Sequence, residues 1–425
     1  MEIELAKGTK EVNPEQKLIR NRILKVLIKN FELYGFQPLE TPTLQKYDVL
    51  ASKYAGGAEI LKETFKLNDQ GNRDLALRYD LTVPLAIYVA LNPNVKLPFK
   101  RYEIGKVFRD GPISTERFRE FWQCDVDVVG SSSMMADAEM VNLASRVFKE
   151  LKLEIVIKIN NRKILDGLMN SCNIQKDKAD SAILTIDKLE KIGIDGVKKE
   201  LKEKNLTDLQ IEKLIKIILT KGSNKEKLDY FKKVIPDNEG LKELQEVLDY
   251  APQTEFDPTL ARGLAYYTGT IFEVKLKNSD IKTTVTSGGR YDNIIGDFIM
   301  NKQNYPAVGI SFGLDRIEMA LKFDEKTTTK VYVIPIKQVI KANEITEELR
   351  NNGINADTDL MDRSISKNLD FANSYSIPFV IFIGEDEVKK NKFKLRDMKS
   401  GKEELLGLQE IINKLGLNKK EDWKN

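Results

Sequence analysis

Residues 101–130 read RYEIGKVFRDGPISTERFREFWQCDVDVVG, a pattern of two strands joined by a loop. In the first strand, 101–109, Tyr102, Ile104 and Phe108 fall on one side and Glu103, Val107 and Arg109 on the other. In the second, 118–130, Trp122, Cys124, Val126 and Val128 share one face, while Gln123, Asp125 and Asp127 line the opposite face. Successive side chains of a strand alternate between faces, so period two puts these three polar groups in one row. The loop 110–116 is long for a hairpin, a length found where loops are functional or disordered. Arg109, Arg117 and Arg119 flank it. Guanidinium forks match phosphate oxygens, and the carboxamide–carboxylate row matches a small polar ligand carrying donors. An amphipathic hairpin with one solvated face accounts for the same residues equally well.

A chain of 425 residues has room for two or three domains with substantial cores. Hydrophobic residues make up 41% and charged residues 31%, an ordinary globular balance. The net charge of +3 is too small to argue nucleic-acid binding from bulk charge, so such a partner would need local basic patches. Cys124 and Cys172 lie far apart without metal-ligand spacing, which speaks against a disulfide framework and a zinc site. Residues 1–16 are charged and lack an apolar run, and no stretch is long and apolar enough to cross a membrane. The expectation is a cytoplasmic protein. The chain contains no histidine, which excludes imidazole bases, imidazole metal ligands and the usual physiological pH switch. Catalysis would fall to Arg, Lys, Asp, Glu, Tyr, backbone amides or a metal held by oxygens.

Towards the amino terminus, Ile19, Ile23, Leu27 and Phe31 recur at helical spacing, Pro14 stands near the helix start and Gly35 at its end. A strand follows, FELYGFQPLETPTLQ, with Pro42. Residues 64–67 and 74–78 form a second hairpin around a turn cluster at Asn68, Gly71 and Asn72. Asp80 and Thr82 then precede a helix beginning near Val83 and Pro84, where both serve as caps. Towards the carboxy terminus, 131–152 is a helix with Ala138, Val141, Leu143, Ala144 and Val147 inward. Residues 163–249 are Lys/Glu/Leu/Ile-rich with helical patterning, as in Leu209, Ile211, Leu214, Ile217 and Ile218, and read as a helical insertion. Strand character returns in LARGLAYYTGTIFEV and TVTSGGRYDNII, where Gly288 and Gly289 would let backbone approach a ligand closely. PAVGISFGLDRIEMAL is a strand, 307–312, turning at Gly313 into a helix that carries Arg316. After a charged linker near 324–329, strands and helices alternate to the end as a separate α/β domain.

Arg109 opening a loop between two such strands resembles motif 2 of the class II aminoacyl-tRNA synthetases, and FREFWQCDVDVVG is similar to its form in the histidyl-tRNA synthetases. The segment ending at Pro42 resembles motif 1, LRYDLT the ammonium-binding stretch, and RGLAYYTG and SGGRYD the two histidine-specific motifs. GLDR with Arg316 resembles motif 3. The resemblance implies an α+β catalytic domain over 1–325, an antiparallel sheet with flanking helices, interrupted by the insertion at 163–249. An α/β anticodon-binding domain would follow at 330–425.

It further implies activation of L-histidine with ATP to an adenylate, then transfer to the 3' end of tRNA(His). Arg109 and Arg262 would be the catalytic arginines at the α-phosphate and border the amino acid, with Arg117 and Arg316 also on ATP. Asp80, Thr82 and Gln123 would hold the α-ammonium end, and Asp127 and Tyr267 would read the imidazole with Tyr266 beside them. Mg²⁺ would arrive with the ATP phosphates, and motif 1 would build a homodimer. Ala265 departs from the pattern, since many members carry Asp there. A non-catalytic regulatory paralogue of a histidine-biosynthesis phosphoribosyltransferase is disfavoured by the intact histidine motifs and carboxy-terminal domain. A prolyl or threonyl ligase is disfavoured by RGLAYYTG.

Overall fold

The alternating hairpin forms as two ten-residue strands, Phe99–Phe108 and Glu120–Val129, paired antiparallel so that Phe99 faces Val129 and Phe108 faces Glu120. In this computed structural model residues 3–417 are described except 54–60, 116, 263–265, 282, 300–304 and 322–325. Ala265 and Glu116, and part of the linker near 324–329, lie outside the described residues. The chain divides into two units, Met1–Glu11 with Arg22–Leu321, and Val12–Asn21 with Lys322–Asn425.

The strands of the first unit are β1 (Gln37–Pro38), β2 (Leu44–Lys46), β3 (Lys66–Asn68), β4 (Asp74–Leu77), β5 (Phe99–Phe108), β6 (Glu120–Val129), β7 (Ile155–Asn161), β8 (Glu255–Phe256), β9 (Thr270–Leu276), β10 (Thr286–Arg290) and β11 (Ala307–Gly313). Eight of them form one sheet in the order β1-β5-β6-β11-β10-β9-β7-β8. The six central strands are antiparallel throughout, and the two-residue strands β1 and β8 pair parallel at the edges. The sheet is therefore mixed rather than purely antiparallel. Parallel edges arise because β1 and β8 each reach their neighbour through a crossover and not through a hairpin. Strand β7 carries no sequence expectation: its IVIKINN alternates weakly, with apolar residues on both faces. The expected second hairpin is β3–β4, joined by β2 in a small sheet.

Helices cover the sheet. Pro14–Leu33 starts on the proline, as its lost amide allows, and buries Ile23, Leu27 and Phe31. The tight turn after it uses Gly35 at φ 79°. Met134–Glu150 starts on Ser133, whose hydroxyl accepts from Met135 N at 3.2 Å, and buries the five inward residues read from the sequence. Helices follow one another from Arg162 to Tyr250, with capping boxes at Thr207/Gln210 and Ser223/Glu226. One side chain there is turned the other way. In Asp208–Ile218, Leu209 is 81% exposed because the 3.6-residue repeat puts it opposite the buried Ile211, Leu214, Ile215 and Ile218.

The second unit carries β12 (Val331–Pro335), β13 (Ala356–Thr358), β14 (Phe379–Ile383), β15 (Phe393–Asp397) and β16 (Glu403–Leu406), in the order β13-β12-β14-β15-β16. Its parallel half and its antiparallel hairpin match the strand–helix alternation of the sequence. The short Glu385–Lys390 helix is an addition, closed by Asn391 at φ 47°.

Candidate active site

The polar row of β6 opens into a pocket of about 420 Å³ on the eight-stranded sheet. All ten residues singled out from the sequence line it: Asp80, Thr82, Arg109, Arg117, Gln123, Asp127, Arg262, Tyr266, Tyr267 and Arg316. They come from segments spread over more than half of the chain, and strand pairing brings them together. Register places Gly313 opposite Gln123, Ser311 opposite Asp125 and Gly309 opposite Asp127, so β11 forms the second wall of the row.

Asp80 caps the Thr82–Leu91 helix: its Oδ1 accepts from the backbone N of Thr82 at 3.1 Å and of Val83 at 3.0 Å. Arg109 lies at the mouth of the hairpin loop, its guanidinium 4.3 Å from the centre of the Tyr79 ring and 5.0 Å from that of Phe121. Flanking rings stabilise the cation and restrict its rotamers while leaving donors for an anion. Arg117 is held by Glu63, with Nη2 at 2.7 and 2.9 Å from its carboxylate oxygens. Arg262 sits in the left-handed region at φ 51°, with Nη1 donating to Glu273 Oε1 at 2.9 Å and Nε unpartnered among the described residues. Such backbone strain at a charged pocket residue costs roughly 1–3 kcal/mol and is characteristic of functional sites. Tyr266 and Tyr267 follow with ring centres 4.8 Å apart. Arg316 donates to the Thr284 carbonyl at 2.6 Å.

The floor of the pocket gathers buried carboxyl and carboxamide oxygens. Gln123 spends its Nε2 on Ser311 Oγ at 3.0 Å, and its Oε1 has no partner among the described residues. Asp125 is buried with Oδ1 equally unpartnered. Burial drives its pKa up from 3.8 to about 8, against the pull of Arg101 and with a push from Asp127. Asp127 is also raised by burial, opposed by Arg101, 2.8 Å from its Oδ2, and by the Tyr291 hydroxyl that donates to Oδ1. A floor with spare acceptors and buried carboxylates fits a ligand that brings several N–H donors and positive charge.

Comparisons with known proteins bear on which ligand that is. The family model described as histidyl-tRNA synthetase matches residues 8–317, and one described as an anticodon binding domain matches 330–417. Histidine–tRNA ligase 1 of Bacillus cereus strain ZK / E33L is 45% identical over 98% of this chain and 100% of its own length. The chain belongs to the histidyl-tRNA synthetase family. Histidine–tRNA ligase 1 of Bacillus cereus strain ATCC 14579 is 47% identical, covering 95% of this chain and 97% of its own. The crystal structure of histidyl-tRNA synthetase from Nostoc sp. PCC 7120 superposes with a TM-score of 0.87 at 31% identity, covering 98% of this chain and 100% of that one.

Within this synthetase fold, three side chains at the site went unassigned from sequence. Asp125 was visible in the polar row but carried no role. Tyr291 stands in the second histidine motif, SGGRYD, and its hydroxyl reaches Asp127. Arg101 opens the hairpin and pairs with Asp127 directly across β5 and β6. The register partner of an alternating strand was the only available signal for the last.

Gly288 and Gly289 both line the pocket and also serve strand packing: a Cβ on the first would overlap the Gly309 carbonyl, and one on the second would meet the Tyr267 ring at 2.8 Å. The arginine of SGGRYD, Arg290, is buried against Asp137 and donates to the Ser131 carbonyl at 2.9 Å.

Proposed function

We propose the following division of labour for the pocket. The chain charges tRNA(His) with L-histidine through a histidyl-adenylate, as an ATP-dependent aminoacyl-tRNA ligase of its family. The observation that carries the histidine assignment is the acceptor-rich floor: Gln123 Oε1 and Asp125 Oδ1 unpartnered among the described residues, and Asp127 beside them. An α-ammonium and an imidazole ring supply the missing donors at the two ends of the row. Asp80, Thr82 and Gln123 take the ammonium, and Asp127, Tyr266 and Tyr267 face the ring. Because the protein has no histidine of its own, the substrate ring is the one imidazole in the site.

The carboxylate of histidine is already ionised near neutral pH and needs no general base to attack the α-phosphate. The step needs stabilisation of charge on the phosphate, which preorganised guanidinium groups provide. Arg109 and Arg262 do this at the α-phosphate, with Arg117 and Arg316 further along ATP. Among the described residues no cluster of three or more acidic or sulfur ligands is placed to hold a metal. Mg²⁺ would arrive with the ATP phosphates, which supply ligands for it together with water. The ribose hydroxyl of the terminal adenosine of tRNA then attacks the adenylate. The second unit grips the anticodon, and two copies join through the segment around Gly35 and Pro42. Among the described residues no helix is long and apolar enough to cross a membrane, and work on tRNA would be done in the cytoplasm.

ATP–pyrophosphate exchange with each amino acid in turn tests the substrate: histidine alone should support exchange, and equal rates with proline or threonine would overturn the assignment. Light scattering at micromolar concentration tests the dimer, which a fully active monomer would refute.

A further inference from the structure

Arg101 is wholly buried, 0% exposed, under the amino-acid end of the pocket, and it does not line the cavity. Its Nη2 donates to the Leu81 carbonyl at 2.9 Å and lies 2.8 Å from Asp127 Oδ2. Leu81 stands between Asp80 and Thr82 at the start of their helix. One nitrogen thus joins the turn carrying the two ammonium-facing residues to the carboxylate at the ring-facing end. The clamp is braced from behind. Arg101 Nη1 lies 3.7 Å from Glu103 Oε2, and Glu103 Oε1 is held by Arg78 at 2.9 Å and the Thr41 hydroxyl at 2.7 Å. On the far side the Tyr291 hydroxyl takes the other oxygen of Asp127, and Gly309 leaves that oxygen the room a Cβ would fill.

A buried cation is an expensive way to fill a core. Apolar side chains of the same volume usually give equal or greater stability than a buried ion pair. Here Nε and Nη1 lack hydrogen-bond partners among the described residues, so the guanidinium is not even fully satisfied. What it provides is a fixed separation between two parts of one binding site.

We propose that Arg101 is a positioning residue for amino-acid selection, which sets the distance between the Asp80–Thr82 turn and Asp127 and so the length of the side chain that spans them. It acts through those residues and does not touch the substrate. The proposal rests on the reading that Asp127 faces the imidazole.

Steady-state exchange kinetics on Asp127→Asn, Arg101→Lys and the double variant test it. Lysine keeps the charge but loses the planar fork. In Arg101→Lys the KM for histidine should rise about tenfold to a hundredfold, in line with the cost of a small misplacement, while the KM for ATP stays within about twofold. The double variant should raise the histidine KM by less than the product of the separate effects, because coupled residues are not additive. If Arg101→Lys does not fold, Arg101→Met with Asp127→Asn removes both charges together, and its histidine KM should stay within about threefold of that of Asp127→Asn alone, the mark of a shared pathway. An unchanged histidine KM in a folded Arg101→Lys, equal rises for histidine and ATP, or strict multiplicativity would overturn the proposal. An unchanged histidine KM in Asp127→Asn alone would overturn the assignment beneath it, a different and separately visible failure.

Discussion

The two large sheets of this protein spend their interiors differently. In the second unit the sheet core is apolar: Val331, Val333, Ile381, Ile383, Phe393 and Leu395 are all buried together. In the first unit the central strands bury Arg101, Glu103, Asp125 and Asp127 within two neighbouring strands. Buried charge is costly unless it is paired and hydrogen-bonded, and even then an apolar core does as well. The contrast shows which sheet is built for stability and which gives up stability for a site. It also explains why spare acceptors are gathered on the first sheet and face a pocket there.

The sharpest way to break this contrast is to damage the apolar sheet. Ile381→Ala should destabilise the second unit by about 2–5 kcal/mol through lost transfer energy and a cavity, read as a lower urea midpoint. Histidine-dependent pyrophosphate exchange should stay within about twofold, because no group that the exchange needs has been removed. Loss of exchange would mean the apolar sheet is not merely structural.

Arg262→Ala should do the reverse. A preorganised donor at a developing charge is worth ~3 kcal/mol, about a hundredfold in exchange rate, with the thermal midpoint nearly unchanged. A near-normal rate would show that its strained backbone and its pairing with Glu273 serve the fold alone.

Asp125→Asn sharpens the electrostatic side. The folded-state pKa of Asp125 is raised from 3.8 to about 8, first by burial. Between these values the unfolded chain has lost this proton and the folded protein keeps it. Stability from this group is therefore full below the unfolded pKa and declines as pH rises towards 8. Asparagine cannot ionise, so the variant should gain stability relative to the parent on going from pH 5 to pH 8. Urea midpoints at the two pH values check the sign, and a gain that is larger at pH 5 would refute it.

The smallest effect on stability is expected for Asp80→Asn. Asparagine caps a helix about as well as aspartate, so stability should change by only a few tenths of a kcal/mol. Histidine binding by calorimetry should weaken all the same, since the charge we assign to the substrate ammonium is gone. Equal affinity would leave Asp80 with its capping role only.

Much of this was written in the linear sequence, because it depends on neighbours two to four residues apart. Alternation in 101–109 and 118–130 gave the hairpin and the row Gln123, Asp125, Asp127. Asp80 before Thr82 gave a cap, Pro14 and Gly35 the ends of a helix, and the motif residues all came to line one pocket. Leu209 lies in the helix its patterning indicates but on the exposed side, because the 3.6-residue repeat puts it opposite Ile211, Leu214 and Ile218. Tertiary structure alone decided which charges meet. Tyr291 reaches Asp127 across 164 positions of chain, and Gln123 meets Ser311 across 188. Arg101 lies under Asp127 only because β5 and β6 pair in one register. A shift of one residue would turn Asp127 and its whole row to the other face. The proton on Asp125 depends on burial and on the charges around it, which no local pattern contains.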